Sequence, residues 1–522
     1  MKTSCMACPR AATTTVIILS VVLNLSASQH EHQWTIRGSY SILPTEPLEI
    51  GHERQLLMDN HVVEDVRALR RKVHQPEKHP SNPLFSTGSK DLNPDTTVTY
   101  VSVLRDPDSG LYRLWDSSSV LIEIPTPPGF YWLSRARYYE SKDGLQWTAP
   151  KLGLVEVDGS KANNVFKGGD KISFDSVGVI PTPPKWRDQG RYLMIYNLSP
   201  AGRDPHPELI AGGQELRVAF SDDGYRWTDQ KENPIFRGQS DTANNLTYNP
   251  ERGVVMYYRR PPINAGEIRR IAYSESADLL NWSQPEHVVV PDELDPYSLY
   301  CMPVVRYQGV YLGFLHMFYL RPPFQREGDI EKKLKIDVQL AWSRDGRNWE
   351  RHPERPIFLE TGPDGSYDRG RVYVAKGLVE REDRVDLYYS GHESLHISRD
   401  VRPGDGHICL ASLRRDGFVS LKAADQGSML TRPLRHPGGR LRINARTEDG
   451  GSVRVEVRRG DGEHDGLRFK EWSGDRCRPF SGDSTNHTVA WEGSAGPAPL
   501  KDQAIRLEFH LEKAELFSFW FE

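Results

Sequence analysis

The stretch Ser221-Asp-Asp-Gly-Tyr-Arg-Trp227 decides the fold because it recurs. Its pattern returns as Ser141-Lys-Asp-Gly-Leu-Gln-Trp147, Ser276-Ala-Asp-Leu-Leu-Asn-Trp282 and Ser343-Arg-Asp-Gly-Arg-Asn-Trp349, with a weaker fifth form in Arg414-Arg-Asp-Gly-Phe-Val-Ser420. Each copy follows an alternating apolar stretch, such as Leu216 to Phe220 or Val338 to Trp342, and reads as a strand entering a turn. Asp-Gly is a favoured tight hairpin pair. The Trp beyond the turn falls on the next strand, where its ring covers a large apolar area against a neighbouring sheet.

A second element lies upstream of each hairpin: an acidic residue opening an apolar strand, then a turn, then a strand rich in Tyr, Leu and Trp. The opening acids are Asp95, Asp175, Asp241, Asp295 and Asp368. Four strands per unit, repeated five times and unable to cover their own faces, specify radial stacking around an axis. The expectation is an all-β chain: a five-bladed β-propeller over residues 75–424 followed by a β-sandwich over 425–522. The sandwich is read from longer period-two strands, Leu441 to Ala445, Val453 to Val457, Val489 to Trp491, Ile505 to Leu511 and Leu516 to Phe521. Residues 29–74 form an N-terminal extension in which Leu56 to Val63 reads as one strand feeding the ring or the sandwich.

Composition narrows the function. The formal net charge of -4 supplies no basic field for a polyanion, so no nucleic-acid partner is expected. Lys2 and Arg10 precede an apolar run, Ala11 to Leu25, followed by Ser26, Ala27 and Ser28. That order predicts a signal peptide over residues 1–28 and a secreted or periplasmic protein. No later run reaches about 18 apolar residues, so no membrane association is expected once the signal is removed. Cys301, Cys409 and Cys477 lack metal-type spacing and read as buried thiols, with a single disulfide as the alternative.

In such a ring, the beginnings of the first strands and the ends of the second strands share one face, around the channel mouth. That face collects Asp95, Asp175, Asp241, Asp295 and Asp368 with Asp116, Asn197, Arg259, Arg260, His316 and His392. Loops after the second strands add Glu123, Glu215, Glu267 and Glu393. Carboxylates around one depression repel one another, which raises some pKa values and leaves other groups ionised. Acid/base chemistry on a glycosidic bond needs that division. His392, His396 and His407 have no recognised ligand spacing, so no metal is assigned.

The Ser-x-Asp-Gly-x-x-Trp hairpins, the blade-opening acids and the sandwich after the ring resemble the five-bladed propeller clan of glycoside hydrolases, families 32, 43 and 68. The layout is most similar to family 32. The resemblance implies an Asp nucleophile or base from the first blade, matched by Asp95, and a stabilising Asp from the second, matched by Asp175. It also implies a Glu acid from the third, where this chain has Asp241, with Glu267 as the alternative. No cofactor is expected beyond the structural Ca2+ that the resemblance allows near His392. Met58-Asp59-Asn60 matches the family 32 nucleophile motif only in part. Arg105-Asp-Pro-Asp-Ser-Gly110 matches its stabiliser motif in letters but reads as a turn at the opposite end of the blade.

The expected function is an exported glycoside hydrolase acting on an oligo- or polysaccharide. The substrate-contact candidates are Asp116, Asn197, Arg259, Arg260, His316, Asp368 and His392. Three alternatives stand beside it: a non-catalytic glycan- or protein-binding propeller, a transferase or phosphorylase on the same scaffold, and, more distantly, a sialidase.

Overall fold

The computed structural model describes residues 46–86, 97–125, 128–168, 172–200, 214–237, 243–261, 268–296, 298–320, 333–396, 404–461, 466–494 and 496–522. Apart from short 3-10 turns the described chain is all β. The proposed signal segment, Asp95, Asp241 and Glu267 lie outside the described residues, as does the side chain of Glu123.

Antiparallel units follow one another along the chain. Unit 1 pairs Thr97–Arg105, Tyr112–Pro125 and Pro128–Ser141 with a split outer strand, Trp147–Thr148 and Val165–Lys167. Unit 2 has Ile172–Pro181, Tyr192–Pro200, Glu215–Ser221 and the pieces Thr228–Asp229 and Phe236–Arg237. Unit 3 has Asn245–Asn249, Val254–Arg259, Ile271–Ser276 and Glu286–Val289. Unit 4 opens with Ser298–Leu299 and Val304–Tyr307, then continues with Val310–Phe318, Ile336–Ser343, Glu350–Arg351 and Ile357–Leu359. Unit 5 holds Arg371–Val374, Val379–Glu380, Arg384–His392 and Gly406–Arg414.

First strands of units 1 to 4 touch in succession, unit 5 joins unit 4 through the pairing of Ile336 with Arg371, and its first strand returns to that of unit 1. Val179 N–H donates to Ser102 Oγ at 3.1 Å, and Val304 N–H to Asn245 Oδ1 at 2.9 Å. The seam between units 5 and 1 carries Lys376 N–H to Val101 O at 2.8 Å and Val103 N–H to Lys376 O at 3.0 Å. Apolar cores lie between the units: Trp115, Phe174 and Met194 join units 1 and 2, Leu193 and Leu246 units 2 and 3, and Met256 and Leu315 units 3 and 4. Each sheet face is thereby covered by its neighbour, which is why no unit needs a core of its own.

The recurring turn shows why its sequence is kept. Ser141 Oγ accepts Gly144 N–H and donates to Asp143 Oδ1, both at 2.9 Å, and Asp143 Oδ1 also accepts Leu145 N–H and Gln146 N–H. The same net forms at Ser221 and Asp223, Ser276 and Asp278, and Ser343 and Asp345. Gly144, Gly224 and Gly346 sit at φ +81°, +88° and +78°, where a Cβ is strained. Each exposes its carbonyl to the preceding unit: Trp115 Nε1 donates to Gly224 O at 2.5 Å, Tyr258 OH to Gly346 O at 2.6 Å, and Tyr388 OH to Gly144 O at 2.8 Å. In unit 3 Leu279 takes the glycine position and buries its side chain in the core holding Leu193 and Phe220 of unit 2. The hairpin tryptophans pack: Trp147 meets Tyr388, Trp282 meets Tyr257 and Trp349 meets Tyr258, each edge to face.

Two expectations change. The run Asp416 to Leu421, which the fifth form of the hairpin would make the outer strand of unit 5, does not take that place. That outer strand is Glu77–Lys78 and Phe85–Ser86, paired with Ala411, Ser412, His407 and Ile408. The run after Asp416 instead supplies Val419–Lys422 to the second domain, between Arg70–Val73 and the long strand Ala504–Phe521. The physical reason is the register offered by the N-terminal segment, which closes the ring with a strand from the opposite end of the sequence. Second, Leu56 to Val63 is not one strand: Gln55–Leu56 and Val63–Arg67 are separate and both join the second domain.

That domain is built on two bent strands, Leu441–Arg459 and Ala504–Phe521, paired along their lengths with a register break between Thr447 and Ser452. Lys513, at φ +42°, lies at the bend. The four strands expected over Leu441 to Val457 and Ile505 to Phe521 are therefore halves of two, folded around one core that includes Ile443, Val455, Leu507, Phe509 and Phe519.

Candidate functional site

Where strands from non-neighbouring units touch, the contact crosses the ring axis. Tyr100 OH, from the first strand of unit 1, lies 2.8 Å from Tyr300 OH of unit 4. Tyr373 of unit 5 packs on both, with ring centroids 5.8 and 5.5 Å away. These three rings form one buried cluster between units 1, 4 and 5. Lys376, also of unit 5, crosses to unit 2, where its Nζ donates to Val177 O at 2.5 Å.

Asp175 stands beside that carbonyl. It pairs in register with Asn197, and the pairing shifts between Asp175 and Gly178, forming a bulge. Ser176, at φ +56°, donates its N–H to Asp175 Oδ1 at 2.6 Å and to Ser117 Oγ at 3.1 Å. Gly178 is required there, because a Cβ would come within 2.5 Å of Asn244 O in unit 3. Asp116, immediately before Ser117, is fully buried. The structure thus brings Asp175 and Asn197 together, while Asp116 lies next to Ser117 on the neighbouring unit. Asn197 Oδ1 is buried without a hydrogen bond among the described residues.

His316 and His392 each pack edge to face on Tyr373, with ring centroids 5.5 Å away. His316 Nε2 accepts Val374 N–H at 3.1 Å, so the ring proton is assigned to Nδ1, which faces Cys301 Sγ at 2.8 Å. Burial pushes the imidazole down to about 3 and the thiol up to about 12, so the pair is neutral rather than a thiolate and imidazolium. Burial likewise keeps His392 and His396 neutral, with the nearby Arg371 acting in the same direction. Arg260 and Arg269 act on both His396 and Cys301, so guanidinium groups of units 3 and 5 converge on this cluster. Lys376 is fully buried, and desolvation lowers it to about 7 against the opposing pull of Cys301 and Asp175.

Several candidates are occupied elsewhere. Asp368 accepts Lys78 Nζ at 2.7 Å and Tyr389 OH at 3.1 Å, tying the N-terminal outer strand to unit 5. Asp295 is held by both terminal nitrogens of Arg351 at 2.7 Å. These two acids serve outer strands, a correction to the expectation that they face the mouth. The reason is that a buried carboxylate before a strand is satisfied by the nearest cation, here on the unit's last strand. Glu215 is paired with Arg217. Arg259 lies over the Phe236 and Tyr257 rings. Asp59 binds Arg344 through both oxygens, and Asp106 caps its own turn while pairing with Arg191. Neither partial motif is at the axis.

The tyrosine cluster and Lys376 were not among the sequence-derived candidates. A signal existed: Tyr100, Tyr300 and Tyr373 each stand five residues after an opening acid, Asp95, Asp295 and Asp368. No comparable spacing marks Lys376, whose partner is 199 residues away in sequence. Among the described residues no group of three or more His, Cys, Asp or Glu is placed to hold a metal ion.

No family model matches the chain, and no curated protein does. Among solved structures it is similar to an N-acetylgalactosamine deacetylase from F. plautii, at 16% identity and a TM-score of 0.43, over 67% of this chain and 97% of that one. It is similar to a beta-1,2-mannobiose phosphorylase from Listeria innocua, at 13% identity and a TM-score of 0.42, over 65% and 97%. A Bombyx mori GH32 beta-fructofuranosidase matches at 10% identity and a TM-score of 0.39, over 84% and 95%. Likenesses of this size assign no activity.

Proposed function

We propose that the protein is an exported glycoside hydrolase of the five-bladed propeller clan, with its site at the channel mouth above the tyrosine cluster. The observation that carries the reading is Asp175, presented from a β-bulge beside the axis, with Asn197 opposite it and Lys376 crossing the channel to the same bulge. A carboxylate so placed can accept sugar hydroxyl protons and oppose the positive charge that develops on the ring in an oxocarbenium-like transition state. Asp95 is assigned as nucleophile or base, and Asp241 or Glu267 as the proton donor.

The test is a panel of oligosaccharides and polysaccharides with wild type, Asp95→Ala and Asp175→Ala. Turnover by wild type and a loss of at least about 100-fold in both variants, with native circular dichroism, is the expected result. Full activity in both variants overturns the site.

A further inference from the structure

Resting on the reading of Asp175 as a site residue, we propose that Lys376 is its positioning residue. Its ammonium pins the β-bulge by donating to Val177 O, and so fixes where the Asp175 carboxylate stands at the channel mouth.

A bulge is an irregular piece of ladder, and its geometry persists only when surrounding contacts over-determine it. Three contacts do so here. Ser176 N–H is shared between Asp175 Oδ1 and Ser117 Oγ of unit 1. Gly178 is pressed against Asn244 O of unit 3. The third contact, Lys376 to Val177 O, comes from unit 5 and reaches the bulge from across the axis.

The lysine is itself held with little freedom. Its backbone N–H and C=O are engaged by Val101 and Val103, and Ser102 bridges to it in parallel. The next residue, Gly377, sits at φ +109° with Val103 O where a Cβ would be, so the chain turns away at once. Its Nζ lies 5.9 Å from the centroid of the Tyr100 ring, within cation–π range. Lys376 is 2% exposed, and burying an ammonium at the floor of a channel is costly. A core packed only for stability would place an apolar side chain there. Among the described residues, Asp175 of unit 2 and Cys301 of unit 4 act on the ammonium, and the Tyr100 ring of unit 1 lies beside it. Of these, Cys301 stays a neutral thiol, so Asp175 is the described group whose charge the lysine complements.

The test uses the full mature chain with Lys376→Met, which removes charge and donor, and Lys376→Gln, which keeps an N–H donor without charge. Crystal structures of wild type and both variants read the bulge directly and need no substrate. The expected result is a shift of residues 175–177 in the Met variant and a smaller one in the Gln variant. With a glycan that wild type turns over, kcat should fall about 10- to 100-fold in the Met variant at nearly unchanged KM. The Gln variant should recover part of that loss. The alkaline limb of the wild-type pH profile, expected near pH 7 where Lys376 loses its proton, should disappear in both variants. An unmoved bulge in the Met variant overturns the proposal. So does a wild-type pH profile retained in both variants. If wild type turns over no glycan while the bulge moves as expected, the reading of the activity fails and the positioning role of Lys376 stands.

Discussion

The phenol of Tyr388, in the last unit of the ring, donates to the carbonyl of Gly144, in the first, at 2.8 Å. It repeats, at the closing seam, the bonds that Trp115 makes to Gly224 and Tyr258 to Gly346 within the ring. Closure therefore uses the same peg and socket as propagation. Tyr388→Phe removes the donor and leaves a buried carbonyl unsatisfied, a cost of about 1–3 kcal/mol. Urea unfolding should show the lowered midpoint with an unchanged slope.

Gly144→Ala attacks the same seam from the other side. The added methyl would overlap the Tyr388 hydroxyl, and the backbone at φ +81° disfavours it independently. The loss should exceed that of Tyr388→Phe, at about 2–4 kcal/mol. In the double variant part of the clash is relieved, so the two effects should sum to less than their separate values. Strict additivity in denaturant unfolding would show that the two residues are not coupled.

The turn aspartates set an acid limit on stability. Gln146 and Leu145 amides hold the Asp143 carboxyl below its ordinary 3.8, outweighing burial. At Asp223 and Asp345 burial opposes the shift, but the turn amides overcome it and the net direction is again down. A carboxyl lowered on folding contributes stability that is present above the unfolded value and is lost as pH falls through the folded one. Acid unfolding should therefore steepen below about pH 3.8, measured by fluorescence of the hairpin tryptophans. Asp143→Asn, which keeps the oxygen acceptor, should flatten that slope.

Lys376 makes a prediction of the same sign at higher pH. Burial lowers it to about 7 from 10.5, so between those values the unfolded chain binds more protons and stability rises with pH. Lys376→Met should therefore be more stable than wild type at pH 6, by about 1–3 kcal/mol after the loss of the Val177 bond. The difference should shrink toward pH 10. A difference independent of pH in chemical denaturation would mean that the lysine is not buried as an ammonium.

Truncation after residue 424 should give aggregated or poorly expressed protein. It removes the strand Ala504–Phe521, which pairs with segments near both ends of the ring, Gln55–Leu56 and Val419–Lys422. It also strips Asp416 of Ser518 and Asn444, leaving Arg54 and Tyr307 as its partners. The apolar surface exposed is comparable with a whole net stability of roughly 5–15 kcal/mol. A soluble monomeric truncation melting within a few degrees of the full chain, by differential scanning calorimetry, would show the sandwich to be an independent appendage.

The sequence by itself determined the repeat, the all-β class and the packing role of the hairpin tryptophans. These are local: a Ser, an Asp and a Gly within four residues build one turn, and period-two alternation marks the strands beside it. It also put Asp175 and Asn197 on one face of the ring, and the strand register pairs them. Tertiary structure decided what depends on distant partners. The outer strand of the last unit comes from Glu77–Lys78 and Phe85–Ser86 because ring closure brings the ends of the sequence together, and no local pattern encodes that register. Asp368 and Asp295 look like mouth acids in the sequence, yet Lys78 and Arg351 claim them, since a buried carboxylate takes the cation within reach. Lys376 is one lysine among many until folding carries it across the axis to Val177, where desolvation and geometry give it a role that residue type and spacing do not.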